Sequence, residues 1–233
     1  MESTVGLRLL EQRDWQVLRA ARLMALLDSP DAFTSSFACE SKWAEPDWRR
    51  MLHFATWVVA HQDETVIGLA RSIREPEQPT ACYVESIWVA PTHRRQGVLR
   101  ALLQDLARRE QRKGVTDLLL WVLENNDQAQ FAYHALGFKA TGQQQPLAEG
   151  EGFEHQLRLS IGRLLESKPI ADSTEICTRS SKPHPRPSLQ PQEVHSFTSP
   201  TDIVHTIGEL LPVNKIRPPG IEEAYAEASV DRI

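Results

Sequence analysis

Residues 83–103, YVESIWVAPTHRRQGVLRALL, constrain the fold more than any other stretch of the chain. An apolar run with strand-forming residues (Val84, Ile87, Trp88, Val89) stops at Pro91. Arg94-Arg95-Gln96-Gly97 follows, and a helical pattern opens directly at Val98. A glycine-bearing turn that feeds a helix start leaves backbone N–H groups pointing outward without partners. Such a turn can hold a phosphate group. Arg94 and Arg95 add positive charge for the same anion. The segment therefore predicts a strand-turn-helix unit and a phosphate-containing cofactor beside it.

The flanking sequence supplies the rest of a fold. Residues 4–10 alternate as a short strand, and Asp14 caps a helix over 15–27 with Trp15, Leu18, Met24 and Leu27 on its apolar face. Glu45-Pro46-Asp47 opens a second helix that runs to about residue 52. Strands are predicted over 55–61 and 65–73, joined by a turn at Gln62-Asp63-Glu64. The helix after Gly97 carries Val98, Leu99, Leu102, Leu106 and Ala107 on one side and closes at Lys113-Gly114. Residues 117–123, DLLLWVL, read as a central strand because both faces are apolar. Asn125-Asn126-Asp127 caps a helix to Leu136, and two strands follow near 138–141 and 153–161. The order predicts an α+β fold. Its sheet is mixed and mostly antiparallel, flanked by helices, with one βαβ crossover around Gly97.

Composition divides the chain. All six tryptophans lie between Trp15 and Trp121, whereas nine of the fifteen prolines follow Leu164. The expected domain is 1–163. The Pro/Ser-rich remainder, 164–233, is expected to be a largely disordered tail, because it has too little apolar surface to offset its ordering entropy. Within it, short helices are predicted near 200–211 and 221–228, and they leave open whether the tail docks on its own domain or on a partner. The net charge of −5 gives no general electrostatic case for nucleic acid. No apolar run approaches the ~20 residues of a membrane span. The first residues, MESTVGLRLLEQRDW, lack an apolar signal core, so a cytoplasmic location is expected. Cys39, Cys82 and Cys177 are scattered and show neither metal-ligand nor disulfide spacing. His53, His61, His93 and His134 read as loop or surface residues, and no metal is expected.

Four segments in order resemble the GNAT superfamily of acetyl-CoA-dependent N-acetyltransferases. They are Asp28-Ser29-Pro30-Asp31-Ala32-Phe33, WVAPTHRRQGVLRALL, the Asn126 to Tyr133 spacing, and Ala135-Leu136-Gly137-Phe138. The resemblance spans about residues 4–161 and is of the bacterial type. It implies that the 94–100 turn cradles the pyrophosphate of acetyl-CoA. The donors would be the N–H groups of Gln96, Gly97, Val98 and Leu99, with Arg94, Arg95 and Arg100 as side-chain contacts. It implies that the backbone of Ile87, Trp88 and Val89 hydrogen-bonds the pantetheine arm and polarises the thioester, and that Asn126 contacts the same arm. Tyr133 matches the tyrosine that protonates the leaving thiolate. Leu99 departs from the family pattern, which has a small residue there, and this bears on cofactor affinity.

A neutral amine must attack, so a base has to remove a proton. Glu85 is the first candidate and Glu124 the second. For each, a solvated carboxylate or a substrate-binding anion is the alternative. Arginines at a surface turn are also ordinary solvated charges, Asn126 is an ordinary helix cap, and Tyr133 is an ordinary core-facing tyrosine. The implied activity is transfer of an acetyl group to a primary amine, on a small molecule or a peptide or protein, by direct attack in a ternary complex. The alternative is a catalytically weak acyl-CoA-binding sensor or interaction module. The acceptor cleft is expected between residues 33–48 and the loops near Glu75 and 142–152. The resemblance leaves a homodimer open.

Overall fold

The computed structural model of the protein describes residues 5–74, 78–147 and 152–166. The C-terminal segment from 167 on, with its two predicted helices, and the loop at Glu75 lie outside the described residues.

Seven strands form one sheet in the order β1-β2-β3-β4-β5-β7-β6. They are β1 (Val5–Leu9), β2 (Thr56–Gln62), β3 (Thr65–Arg74), β4 (Ala81–Val89), β5 (Asp117–Leu123), β6 (Lys139–Pro146) and β7 (Phe153–Ser160). Every neighbouring pair is antiparallel except β4 and β5. Those two are parallel because α4 (Val98–Gln111) carries the chain back across the sheet between them. The remaining helices are α1 (Trp15–Asp28), α2 (Phe37–Glu40), α3 (Glu45–Phe54), α5 (Asp127–Leu136) and α6 (Ile161–Glu166). This is the expected mixed, mostly antiparallel α+β sheet.

The sheet separates two apolar layers. On one face, Val58, Ala60, Ala70, Cys82, Val84, Leu118, Leu120 and Leu157 pack against Leu102, Leu103 and Leu106 of α4 and Leu164 of α6. Ala129, Tyr133 and Leu136 bring α5 onto the same layer. On the other face, Trp57, Val59, Leu69 and Trp88 pack against Leu18 and Leu26 of α1 and Trp48 and Leu52 of α3. Burying a side chain of this size contributes about 1.5–3 kcal/mol.

Four sequence expectations need correction. The buried face of α1 is Leu18, Ala21, Arg22, Leu23, Ala25 and Leu26, and Leu27 is 49% exposed. Leu23, Leu26 and Leu27 let the apolar stripe be phased either way, and contact with the sheet selects the phase. Arg22 is buried because Glu40 of α2 meets it, with Nη2–Oε1 at 2.8 Å and Nε–Oε2 at 3.0 Å, while its Cζ lies 4.6 Å from the Phe33 ring centroid. The helix α2 was not foreseen. Ser36 starts it by accepting the Cys39 N–H, and the Glu40 pair holds it down. Asp14 does not accept the α1 cap bonds with its side chain. Its carboxylate instead takes the Glu11 N–H at 2.9 Å and pairs with Arg8. Finally, Ile161 leaves the last strand and begins α6, in which Ile161 and Leu164 are fully buried, and β6 runs to Pro146 rather than 141.

Candidate active site

The site begins where β4 parts from β5. The parallel ladder holds only Ala81, Cys82 and Tyr83 against Asp117, Leu118 and Leu119. Beyond it, β4 carries an extra residue relative to β3: Arg71 faces Glu85 and Leu69 faces Trp88, so one β3 residue opposes two on β4. Ser86 takes this up with φ of 53°, a left-handed conformation that non-glycine residues seldom adopt. One extra residue reverses the alternation of side chains. Cys82 and Val84 face the α4 layer, while Trp88 turns to the α1 layer and Ile87 and Val89 take over the α4 side.

The backbone reverses with it. The Ala90 N–H bonds the Ile67 carbonyl, so Trp88 and Ala90 direct their polar groups at β3. Ile87 and Val89 direct theirs away from β3, into the gap where β5 no longer pairs. Of the three residues expected to line an extended ligand, Ile87 and Val89 present backbone there. Trp88 does not, and its indole Nε1 donates to Asp28 Oδ2 at 2.9 Å.

The turn after β4 opens at the mouth of this gap. A single 3-10 turn, Pro91–His93, leads to Arg94, and Gln96 Nε2 donates back to the Thr92 carbonyl at 2.8 Å. Arg95 and Gly97 both have positive φ, 65° and 82°. Gly97 caps α4, and the first helical bond runs from the Ala101 N–H to the Gly97 carbonyl. The N–H groups of Val98, Leu99 and Arg100 therefore have no helical acceptor. A Cβ on Gly97 would meet nothing within 4 Å, so the turn faces open space. Leu99 packs its side chain against the core, leaving its N–H on the open side. The departure at Leu99 therefore does not fill the cradle, and these residues fit a pyrophosphate.

The three arginines differ. Arg95 is exposed, and Arg100 is half-buried on the first turn of α4. The Arg94 guanidinium is committed to protein: Nε donates to the Val89 carbonyl at 2.9 Å, and Nη2 pairs with Asp28 and reaches Ser29 Oγ at 3.4 Å.

On the far side of the gap, Asn126 caps α5 through Oδ1 and the Ala129 N–H at 3.0 Å. Tyr133 lies two turns along, its ring 5.7 Å from that of Phe138. Burial raises the pKa of its phenol well above the ordinary value, so the hydroxyl stays protonated through neutral pH. The two candidate bases sit apart. Glu85 Oε2 is held by Arg71, whose Nε is 3.1 Å away and whose Cζ lies 5.3 Å from the Trp57 ring centroid. Glu124 Oε1 accepts the Phe153 N–H at 3.3 Å at the start of β7. Sequence reasoning missed Arg71 and Asp28. Arg71 gave no signal, whereas Asp28 stood inside the 28–33 segment already singled out. No group of three His, Cys, Asp or Glu that could hold a metal occurs among the described residues.

A sheet that opens beside a glycine-capped helix start defines a class of proteins that take an extended, phosphate-bearing ligand. The sequence profile of the acetyltransferase (GNAT) family matches residues 23–138, and the chain belongs to this family. Its fold is similar to that of a putative acetyltransferase from Salmonella typhimurium solved with its cofactor acetyl-CoA, with TM-score 0.54, 19% identity and coverage of 73% of this chain and 99% of that one. A spermidine N-acetyltransferase from Vibrio cholerae in complex with CoA and spermine gives TM-score 0.56 at 15% identity, covering 71% and 100%. The ribosomal-protein-S18-alanine N-acetyltransferase from Escherichia coli gives 0.50 at 21%, covering 68% and 94%. Among curated proteins, no sequence matches the chain. Family membership supports acetyl transfer with acetyl-CoA as donor. No helix among the described residues is long and apolar enough to cross a membrane.

Proposed function

We propose that the chain transfers an acetyl group from acetyl-CoA to a primary amine by direct attack in a ternary complex. The observation that carries this reading is the junction of two features. The β4 edge at Ile87 and Val89, which β5 no longer pairs, continues directly into the αL turn at Gly97. When bound, acetyl-CoA supplies an activated acetyl thioester. The N–H groups of 96–99 hold its pyrophosphate, with Arg95 and Arg100 adding charge at the rim. Ile87 and Val89 pair with the pantetheine arm as an added strand would, and Asn126 meets it from α5. The Tyr133 hydroxyl donates to the leaving sulfur. Glu85 is the preferred base: Arg71 engages one oxygen and fixes the carboxylate on the sheet face that α1 and α3 leave half-open. Glu124 is the second candidate. Two structural neighbours with named acceptors are both N-acetyltransferases, which favours an amine over a hydroxyl acceptor. Residues up to about 166 form the acetyltransferase domain in this reading, and the remainder is an appendage. Working in the cytoplasm is consistent with this donor. The sensor alternative drew on Leu99 and on the C-terminal tail, and the core-directed Leu99 side chain removes the first of these supports.

The test is release of free thiol from acetyl-CoA by the full chain across a panel of polyamines, amino acids and peptides, with the acetylated product confirmed by mass. Turnover of at least one amine, reduced about 10²-fold or more in Glu85→Gln, supports the assignment. Acetyl-CoA binding without turnover of any amine overturns it in favour of a binding module.

A further inference from the structure

Gly97 and the cofactor turn sit at one end of α4, and the other end of the helix opens on a cavity. Its volume is about 630 Å³, within the range of ligand-sized clefts. Arg109, Glu110, Arg112 and Lys113 come to it from the last turn of α4, and Arg74 from the end of β3. Leu9, Leu52 and Phe54 supply an apolar wall, and Phe54 is 46% exposed. The charges on this lining do not cancel. Glu110 is buried, and its Oε1 is taken by Ser72 Oγ and Lys113 Nζ, both at 2.9 Å. Arg109 pairs with Asp105 one turn back. Arg74 and Arg112 are exposed and meet no carboxylate among the described residues. The rim therefore keeps two uncompensated positive charges above an apolar wall. That combination suits a segment with one apolar stripe and acidic flanks.

The chain carries such a sequence. Ile221, Ala224, Tyr225 and Ala228 recur at the spacing of one helical face. Glu222, Glu223, Glu227 and Asp231 stand among and after them, against a single Arg232. The other apolar-periodic stretch, 200–211, has only Asp202 and Glu209 and matches the rim less well. Reach is sufficient. The Leu164 carbonyl of α6 accepts from Gln104 Nε2 at 3.1 Å, so the described chain ends beside the middle of α4. Residues 167–220 follow, and a coil of that length spans about 40 Å. The whole of α4, 14 residues, is about 21 Å long. We propose that residues 221–231 of this chain dock in the cavity at the C-terminal end of α4, with the Ile221 and Tyr225 stripe on Leu52 and Phe54 and the glutamates on Arg74 and Arg112. The docked segment lies a helix length from Gly97 and leaves the cofactor turn open, so this inference is independent of the acetyl-transfer reading.

The test is zero-length cross-linking of the full chain with a water-soluble carbodiimide, which joins a carboxylate to an amine only where the two touch. Lys113 is the amine at the cavity, its side chain 44% exposed. The expected product joins Lys113 to Glu222, Glu223 or Glu227 and is identified by mass spectrometry. Mixing natural and nitrogen-15 chains shows whether the link forms within one chain. The double variant Arg74→Glu, Arg112→Glu, checked as folded by thermal melting, keeps Lys113 and is expected to lower the yield about fivefold or more. The double variant Ile221→Ser, Tyr225→Ser leaves every described residue and every glutamate in place, and it is expected to lower the yield by a similar factor. No link in the native chain overturns the docking, as does a yield that either double variant leaves unchanged. A link found only between chains also overturns it and gives the cavity to a second copy.

Discussion

Replacing Gly97 by Ala adds one methyl group, and the structure separates what that group does to folding from what it does to binding. Gly97 has φ of 82° and nothing within 4 Å of its Cβ position, so the folding cost is conformational only. Holding alanine in the left-handed region costs about 1 kcal/mol. In a domain of this size that lowers the melting temperature by about 2–4 °C. Gly114, just past the other end of α4, is a matched control, with φ of 88° and likewise nothing within 4 Å. Gly114→Ala therefore costs the same stability. Only Gly97→Ala puts a methyl group in front of the N–H groups at the start of α4. Displacing one charge-assisted hydrogen bond costs about 1.5–3 kcal/mol, roughly a tenfold to hundredfold loss of acetyl-CoA affinity. Melting curves and calorimetric titration of the two variants check both halves. Equal affinities in the two variants would refute the placement of the cradle. A much larger melting shift for Gly97→Ala than for Gly114→Ala would refute the claim that its surroundings are open.

Tyr133→Phe is expected to lower kcat about 10²-fold with KM for acetyl-CoA nearly unchanged, as a steady-state comparison on any accepted amine will show. The raised Tyr133 pKa also has a sign in stability: the unfolded phenol ionises first, so stability present below its ordinary value of 10.0 is lost as pH rises above it. The native chain should therefore lose melting temperature above pH 10 faster than Tyr133→Phe does. Glu40→Ala strands the buried Arg22 guanidinium and is expected to cost about 3–5 kcal/mol by chemical denaturation, whereas the double change Arg22→Met, Glu40→Leu recovers most of that loss. Hydrogen bonds from Arg158, Nε–Oδ1 at 3.0 Å and Nη2–Oδ2 at 2.8 Å, hold the Asp117 carboxyl below its usual range. That contribution is present above the unfolded pKa of 3.8 and lost as pH falls through the depressed folded value. Arg158→Gln should flatten the acid limb of a melting-temperature profile over that interval.

What the amino-acid order revealed was local. Pro91, Gly97 and Gly114 punctuate the chain, and strand, turn and helix fall where those residues dictate. The Asn126 cap and the apolar β5 were equally readable, because their partners lie within one element or in the sheet as a whole. Features that needed a distant partner were not readable. Nothing in the composition of α1 says that Arg22 faces inward, since Glu40 on another helix neutralises it. Nothing marks Ser86 as the residue at which β4 changes faces, because a bulge is a relation between two strands and Ser86 has no special chemistry of its own. Arg94 looked like an anion ligand by proximity to the turn, and only the placement of Asp28, 66 positions away in sequence, shows where its guanidinium is held.

The bulge at Ser86 makes the register of β4 against β3 a quantity with only one workable value. If β4 ran without the bulge and kept every residue, Ile87 would oppose Leu69 and Trp88 would oppose Gly68, which would swing Trp88 toward α4 and turn the polar groups of Ile87 and Val89 onto β3. The ligand-facing edge would then disappear although every side chain named in the site remained. Substitution within these few positions is a matter of packing and strain. Register is a matter of parity, and parity has no intermediate settings. Relatives of this chain that keep the activity should therefore vary in residue type across this stretch far more freely than in the pairing of Trp88 with Leu69.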